Sequence, residues 1–309
     1  NPHTPGPGKV IDYHENLSSQ LNFNKLKKAE KTEKWVLLAL AVPALLAIFL
    51  IIFIPVGWLF SLSFLDKAGE LSLKNYARMF EYKSYARVFF TTFKVSLFTT
   101  VLCIVFAYPL SYFLSQLTKK YASIFLLAVL LPFWTSLLVR TYAWLVLLQR
   151  KGIINSLGIE LGLLDAPLKL VHNLNGTLIG MVHIMLPFMI LPLYASMRRI
   201  DRQLVQASAN LGATPTQAFW FVFVPLSLPG VVAGSLIVFV LCLGFYVTPA
   251  VLGGGKVILV SMQITAILED QYNWGAASAL GVVLLMATLM VLILASRLLK
   301  LDAVFFGKH

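Results

Sequence analysis

Charged residues are scarce in this sequence, and their scarcity limits the class of protein. Only 12% of the 309 residues are charged, whereas 59% are hydrophobic, and the mean hydropathy is +0.81. A soluble domain of this length carries about a quarter charged residues, because water has to cover its surface. The composition therefore excludes an ordinary soluble domain and indicates that lipid covers much of the chain.

Cysteine and the residues of clustered catalytic sites are also few. The two cysteines, Cys103 and Cys242, lie inside apolar runs, where cysteine packs as a small hydrophobe. Their number and position suggest neither a disulfide framework nor a metal site. The five histidines are scattered, so the sequence predicts neither catalytic residues nor metal ligands.

The sequence contains no Gly-x-x-x-x-Gly-Lys-Ser/Thr phosphate loop. If the protein uses ATP, a separate polypeptide has to bind the nucleotide. The net charge of +12 would suggest nucleic acid in a soluble protein. Here the basic residues fall mostly between apolar segments, so they predict contact with anionic lipid headgroups and not with nucleic acid.

Long apolar runs are abundant. A helix needs about 20 apolar residues to cross a bilayer core of about 30 Å, and these runs are too long and continuous for barrel strands. The sequence predicts an all-α integral membrane protein with six transmembrane helices. They run from about residue 35 to 64, 88 to 115, 121 to 148, 174 to 197, 230 to 252 and 277 to 299.

Lysine and arginine in the short loops set the orientation of such helices. Their distribution predicts that both termini are cytoplasmic. The domain organisation predicted from composition is a partly disordered tail over residues 1–34, a membrane domain over 35–300 and a short tail over 301–309. A cytoplasmic loop over about 198–229 joins the fourth and fifth spans.

This loop predicts two short helices separated by a sharp break. Asp201 suits the N-cap of the first helix, and Gly212 suits the position just past its end. Thr214 and Gln217 form a capping box around Pro215, which starts the second helix. Most such loops are only compact turns, and that alternative stays open from the local pattern alone.

The longer pattern resembles the EAA loop of ABC importer permeases, whose motif is Glu-Ala-Ala, three residues, Gly and, later, Leu-Pro. The sequence departs from it at Gln206, Ser208 and Val224, where the family has Glu, Ala and Leu. The missing carboxylate puts a charge contact from position 206 in question. The matching positions are Ala207, Gly212, Ala213, Phe219, Pro225, Pro229 and Gly230.

Residues 131–142, 151–155 and 274–278 look like the spermidine/putrescine branch of these permeases. The resemblance implies a bacterial inner-membrane permease whose loop is a coupling helix that docks on an ATP-binding subunit. The implied coupling residues are Gln206, Ala207, Ser208, Leu211, Gly212, Ala213, Phe219 and Pro225. The chain itself then binds no cofactor, because ATP and Mg²⁺ belong to the partner ATPase.

The resemblance also implies a set of partners. These are a second, related but distinct permease subunit, two copies of the ATP-binding subunit and a periplasmic solute-binding protein. Together with membrane lipid they complete the expected assembly.

Several polar and aromatic side chains within the predicted spans are candidates for the substrate path. Placing the polar side chains of Arg140 and His183 in a membrane costs free energy, so they indicate either a substrate path or a hydrogen bond between helices. Trp134, Tyr142 and Tyr246 either line a cavity or anchor the spans at the membrane interface.

None of the six predicted spans contains Asp or Glu. A path for a polycation is expected to offer carboxylates or aromatic rings, so either the partner supplies acidity or the substrate is a zwitterionic or acidic amino-acid derivative. The alternative function is a secondary transporter driven by an ion gradient. That class usually carries an intramembrane carboxylate and inverted repeats, and the sequence shows neither.

Overall fold

The computed structural model describes the backbone of residues 7–66 and 69–298, without the side chains of residues 7–32, 34 and 298. The regular secondary structure of the described residues is helical, apart from one isolated β-bridge between Leu65 and Leu71. Residues 1–6, which the composition predicts to be disordered, and the predicted tail 301–309 lie outside the described residues. The backbone from Pro7 onward is continuous in one helix with the first span.

The first helix, α1, runs over Pro7–Ser63 and contains Pro43 and Pro55. Its apolar stretch Trp35–Ser63 is long enough to cross a membrane. A single helix cannot bury its own side chains, and those from Trp35 to Leu59 are all exposed. By its contacts the chain divides between Ser61 and Leu62, so most of α1 forms a compact unit by itself.

The second unit contains the remaining helices. Together with α1, five helices of the described chain are long and apolar enough to span a membrane, or six if one bent pair counts as a span. The helices are α2 (Lys74–Glu81), α3 (Lys83–Gln116), α4 (Lys119–Leu130), α5 (Leu137–Leu147), α6 (Ile153–Glu160), α7 (Leu174–Arg198), α8 (Arg202–Asn210), α9 (Pro215–Ala218), α10 (Val224–Leu243), α11 (Val247–Leu252), α12 (Val260–Gln271) and α13 (Trp274–Leu298).

Helices α3, α7 and α10 pack on one another and form the core of this unit. Cys103 of α3 is fully buried and its thiol donates a weak hydrogen bond of 3.8 Å to the carbonyl of Val182. Cys242 of α10 is also buried, and both thiols are free. The prediction that these cysteines pack as small hydrophobes is confirmed.

Glycine brings α10 close to α7. A Cβ at Gly234 would lie 2.7 Å from the Met189 sulfur, and one at Gly230 would lie 3.1 Å from the Pro192 carbonyl oxygen. Lipid gives membrane helices little hydrophobic reason to associate, so small residues that permit close van der Waals packing stabilise such pairs.

The third predicted span, 121–148, is wrong as a continuous helix. Helix α4 ends at Leu130, a 3₁₀ turn covers Leu131–Trp134, and α5 leaves at an angle of 95°. Pro132 cannot donate the backbone hydrogen bond that would continue α4. The hydroxyl of Thr135 instead donates to the Pro132 carbonyl at 2.7 Å, which closes the turn.

The fifth predicted span, 230–252, is wrong at both ends. The helix begins at Pro215 and runs through a π-helical segment, Phe219–Phe223, into α10, which ends at Leu243. Residues 244–246 then break the backbone before α11 begins. Pro249 lies in the first turn of α11, a position where proline favours a new helix over continuation of the old one.

Candidate functional site

The segment between α7 and α10 folds as its capping residues predict. The Asp201 carboxylate accepts a hydrogen bond of 2.9 Å from the Gln203 amide and so caps α8. Thr214 and Gln217 form a reciprocal capping box at α9, with bonds of 2.8 and 3.3 Å. Gly212 has a φ of +89°, which an L-residue rarely adopts. The predicted helix, break and helix are confirmed.

One face of α8 is apolar and has no partner within the described chain. Leu211 is 90% exposed and Leu204 is 49% exposed, and Ala207 between them is exposed too. Large apolar side chains gathered on one exposed face are typical of an interaction site. Gln206 is exposed beside this face, while the half-buried Ser208 donates its hydroxyl to the Val205 carbonyl at 2.7 Å.

Two of the predicted coupling residues do not belong to this face. Phe219 lies in the π-helical segment and packs edge-on against Tyr112 of α3, with ring centroids 5.2 Å apart. Pro225 lies exposed in the first turn of α10. The structure therefore places the predicted positions from Gln206 to Ala213 in the second half of α8 and the break that follows it, whereas Phe219 packs against the core.

A cavity of about 1280 Å³ lies behind α8. The ends of α3 and α7 form one side of it, and α8, α9 and the π-helical segment form the other. Among the lining residues are Tyr112, Gln116, Arg198, Gln203, Ala209 and Phe223. Val205 of α8 also lines this cavity and is the residue of α8 that packs against the hydrophobic core of the described chain.

Two arginines hold the start of α8 to the end of α3. The Arg198 guanidinium donates hydrogen bonds of 2.9 and 2.8 Å to the carbonyls of Ser115 and Leu117. Arg202 donates one of 3.2 Å to the carbonyl of Gln116. The sequence analysis identified neither of these contacts. The available signal was a basic residue in the last turn of a span.

The candidate path residues Arg140 and His183 lie in the same region of the fold. The Arg140 guanidinium carbon is 5.8 Å from the ring centroid of Phe133, and His183 lies within electrostatic range of that guanidinium. Trp144 packs edge-on against the His183 ring at 5.5 Å. Arg140 Nε and His183 Nδ1 are buried and have no hydrogen-bond partner among the described residues. The predicted hydrogen bond between helices is not formed by either of these nitrogen atoms.

Two of the three candidate aromatic residues lie at helix breaks, and the third lies within α5. Trp134 is the last residue of the 3₁₀ turn between α4 and α5 and is 73% exposed. Tyr246 is the exposed residue that precedes α11, and Tyr142 is exposed on α5. Discontinuous helices are a recurrent feature of substrate sites in transporters.

The two breaks are connected through α5 and α11. The hydroxyls of Thr141 and Thr248 lie 3.3 Å apart and are buried between these helices. A Cβ at Gly180 of α7 would lie 2.7 Å from Thr248, so α7 also approaches α11 closely. These contacts hold α5, α7 and α11 together around Arg140 and His183. Sequence reasoning missed both threonines.

Known proteins resemble this chain along most of its length. The spermidine/putrescine transport system permease protein PotB of Haemophilus influenzae is 36% identical over 247 residues, which cover 77% of this chain and 86% of that protein. The inner membrane ABC transporter permease protein YdcU of Escherichia coli is 36% identical over 197 residues, covering 60% and 62% of the two chains. No family model matches the sequence.

Solved structures confirm the architecture. A chain of a bacterial alginate ABC transporter, crystallised in complex with an alginate-bound periplasmic protein, superposes with a TM-score of 0.70. The match covers 86% of this chain and 94% of that chain at 16% identity, so it establishes the fold alone. The relatives and the fold favour an importer permease over the alternative of a secondary transporter. The chain belongs to the ABC-transporter permease family that includes the spermidine/putrescine transport system permeases.

Proposed function

We propose that this chain is a membrane-spanning subunit of a bacterial, ATP-driven importer, and that α8 is the element through which an ATPase drives it. The importer lies in the inner membrane, and both termini of the chain face the cytoplasm. The chain binds no cofactor, because ATP and Mg²⁺ are held by the separate ATPase subunit. The substrate is a polyamine or a related amino-acid-like solute.

The exposed apolar face of α8 carries this proposal. Leu204, Ala207 and Leu211 face away from the chain, and the helix that presents them is capped at its start and stopped at Gly212. A helix with an exposed apolar stripe fits a groove on a partner, where burial of the leucines stabilises the contact. The small Ala207 between them permits close approach of the two backbones.

The assembly contains further subunits. One chain forms half of a path across the membrane, so a second, related permease completes it, and two ATPase copies act on the two coupling helices. A periplasmic solute-binding protein delivers the substrate. The alginate transporter of similar fold was crystallised with such a periplasmic protein, which supports this part of the proposal.

The substrate path runs beside the two helix breaks. Exposed aromatic rings at Trp134, Tyr142 and Tyr246 offer faces that attract an ammonium group. The PotB relatives transport spermidine and putrescine by name, which supports a cationic substrate. Arg140 opposes such a cation, so the acidity that a polyamine needs comes from the second permease or from a carboxylate on the substrate itself.

Co-purification with the neighbouring subunits and reconstitution in vesicles tests the proposal. We expect substrate-stimulated ATP hydrolysis and uptake that both require this chain. Uptake that continues with a hydrolysis-deficient ATPase and follows a proton gradient would support the ion-gradient alternative. A ligand-binding screen of the cognate solute-binding protein identifies the substrate.

Two substitutions test the role of α8 directly. Ala207→Trp adds bulk to the docking face, and Gly212→Pro conflicts with the φ of +89° at the break. We expect both variants to insert normally and to lose uptake while basal ATP hydrolysis remains. Thr216→Trp adds the same bulk to the exposed first turn of α9 and serves as the control. Normal uptake by both α8 variants would reject the docking role.

A further inference from the structure

The end of α3 is bound at two places by the segment that contains α8. Three successive carbonyls, at residues 115, 116 and 117, accept hydrogen bonds from Arg198 and Arg202. These two arginines flank the turn between α7 and α8. The last carbonyls of a helix have no partner within the helix and carry partial negative charge, so cations bind them well.

The second place of contact lies at the far end of the segment. The ring of Tyr112 packs edge-on against Phe219 and Phe223, with centroids 5.2 and 4.9 Å away. One turn earlier in α3, the Tyr108 hydroxyl lies 2.9 Å from that of Ser227. The segment is therefore attached to α3 both before α8 and after α9.

Between these two attachments, α8 borders the cavity of about 1280 Å³, and the partly buried Val205 is the residue of α8 that packs against the hydrophobic core of the described chain. A force applied to the outer face of α8 is consequently passed to the core through Val205 and at the two attachments. At the start of α8, the hydrogen bonds of Arg198 and Arg202 can transmit this force, because both side chains bind backbone carbonyls at the end of α3.

We propose that Arg198 and Arg202 are positioning residues that make the start of α8 and the end of α3 move as one body when the ATPase displaces α8. Helix α3 packs along α7 and α10, so its displacement reaches the core of the membrane domain. This inference rests on the proposed coupling function and names the helix that receives the motion.

Distance measurements between spin labels test the inference. Labels are attached to cysteines introduced at two exposed positions, Gln203 on α8 and Gln116 at the end of α3, in the complete complex in vesicles. The native Cys103 and Cys242 are buried. With a hydrolysis-deficient ATPase, we expect ATP to shift the label distance by less than about 2 Å in the otherwise unchanged protein. A larger shift would show independent motion and overturn the inference.

Substitution of the arginines gives the second readout, the number of solute molecules imported per ATP hydrolysed. Arg198 donates two hydrogen bonds, and each bond from a charged donor favours the bound arrangement on the order of tenfold. We therefore expect Arg198→Ala to lower this ratio by between about tenfold and about a hundredfold while hydrolysis persists. Arg198→Lys retains a cationic donor and should restore part of the ratio. Arg199→Ala removes the same charge from an exposed neighbour that makes no side-chain hydrogen bond among the described residues, and should leave the ratio unchanged.

The outcomes separate this inference from the proposed function. If the unsubstituted complex shows no ATP-dependent uptake, the proposed function fails. If it does, but Arg198→Ala keeps its import ratio, only the arginine contacts are rejected. Should Arg198→Ala fail to assemble, Arg202→Ala decides the question, because it removes a single hydrogen bond of 3.2 Å from an exposed residue.

Discussion

The hydroxyl of Tyr108 lies 2.9 Å from the hydroxyl of Ser227, which joins the last third of α3 to the first turn of α10. Ser227 is fully buried, and its hydroxyl also lies 2.8 Å from the Val224 carbonyl. Each hydroxyl can donate one proton, so Ser227 donates to the carbonyl and accepts from Tyr108. The pair holds the end of the π-helical segment against α3.

Tyr108→Phe removes this hydrogen bond and keeps the ring. A neutral hydrogen bond contributes about 1 kcal/mol, and the Ser227 hydroxyl retains its carbonyl partner, so we expect a loss of about 1 kcal/mol in stability. Thermal unfolding in detergent measures the effect. The exposed Tyr121 is the control, and an equal loss in Tyr121→Phe would contradict the assignment.

Gly230→Ala tests the close contact of α10 with α7. The added Cβ would meet the Cβ of Ser196 and lie 3.1 Å from the Pro192 carbonyl oxygen. Overpacking of this kind costs about 1–3 kcal/mol, and we expect the melting temperature to fall. Gly281→Ala is the matched control in α13, where no atom lies within 4 Å of the new Cβ. Because alanine favours a helix more than glycine does, Gly281→Ala should leave the stability unchanged or raise it.

Trp134→Ala tests the candidate substrate path. The side chain is mostly exposed, so its removal should leave the melting temperature almost unchanged. An aromatic contact with the substrate contributes about 0.5–1.5 kcal/mol, and we therefore expect uptake at low substrate concentration to fall about threefold or more. The comparison is Phe90→Ala, an aromatic on α3 of similar exposure. Uptake that is equal in the two variants would remove Trp134 from the path.

Lys256→Gln tests the charge environment of Lys169. The nearby Lys256 ammonium lowers the pKa of Lys169, with a smaller contribution from Arg150. The lowered pKa means that protonation of Lys169 is disfavoured in the folded chain, so the repulsion is present at neutral pH and is relieved as the pH rises through that pKa. We expect the substitution to raise the pKa of Lys169.

An NMR titration of methylated lysines measures this change. Both side chains are on the surface, so added salt should raise the pKa of Lys169 in the unsubstituted protein as well. If neither the substitution nor added salt changes the pKa of Lys169, the two lysines are not close to each other.

The features predicted correctly from the sequence are those that depend on nearby residues. Asp201, Thr214 and Gln217 act on amides two or three residues away, and Gly212 acts through its own backbone. The apolar runs likewise mark the spans, because lipid acts on each of them separately. Such signals lie within a few residues of the structure that they produce.

The missed features depend on residues far apart in the sequence. Pro132 breaks the third span, whereas Pro109 lies inside the continuous helix α3, so proline alone does not decide the outcome. Arg198 binds a carbonyl 83 residues earlier in the chain. The buried Asn155 amide bonds to both the amide and the carbonyl of Leu168, which fixes a loop that no local pattern indicates.

The π-helical segment Phe219–Phe223 has a consequence for the fifth span as a whole. A π turn contains one residue more than an α turn, and each residue of an α-helix rotates the next by about 100°. Without that residue, Gly230 and Gly234 would turn away from α7 and bulkier side chains would replace them at the contact. One additional residue thus sets the rotational phase with which the continuous helix Pro215–Leu243 presents its glycines to α7.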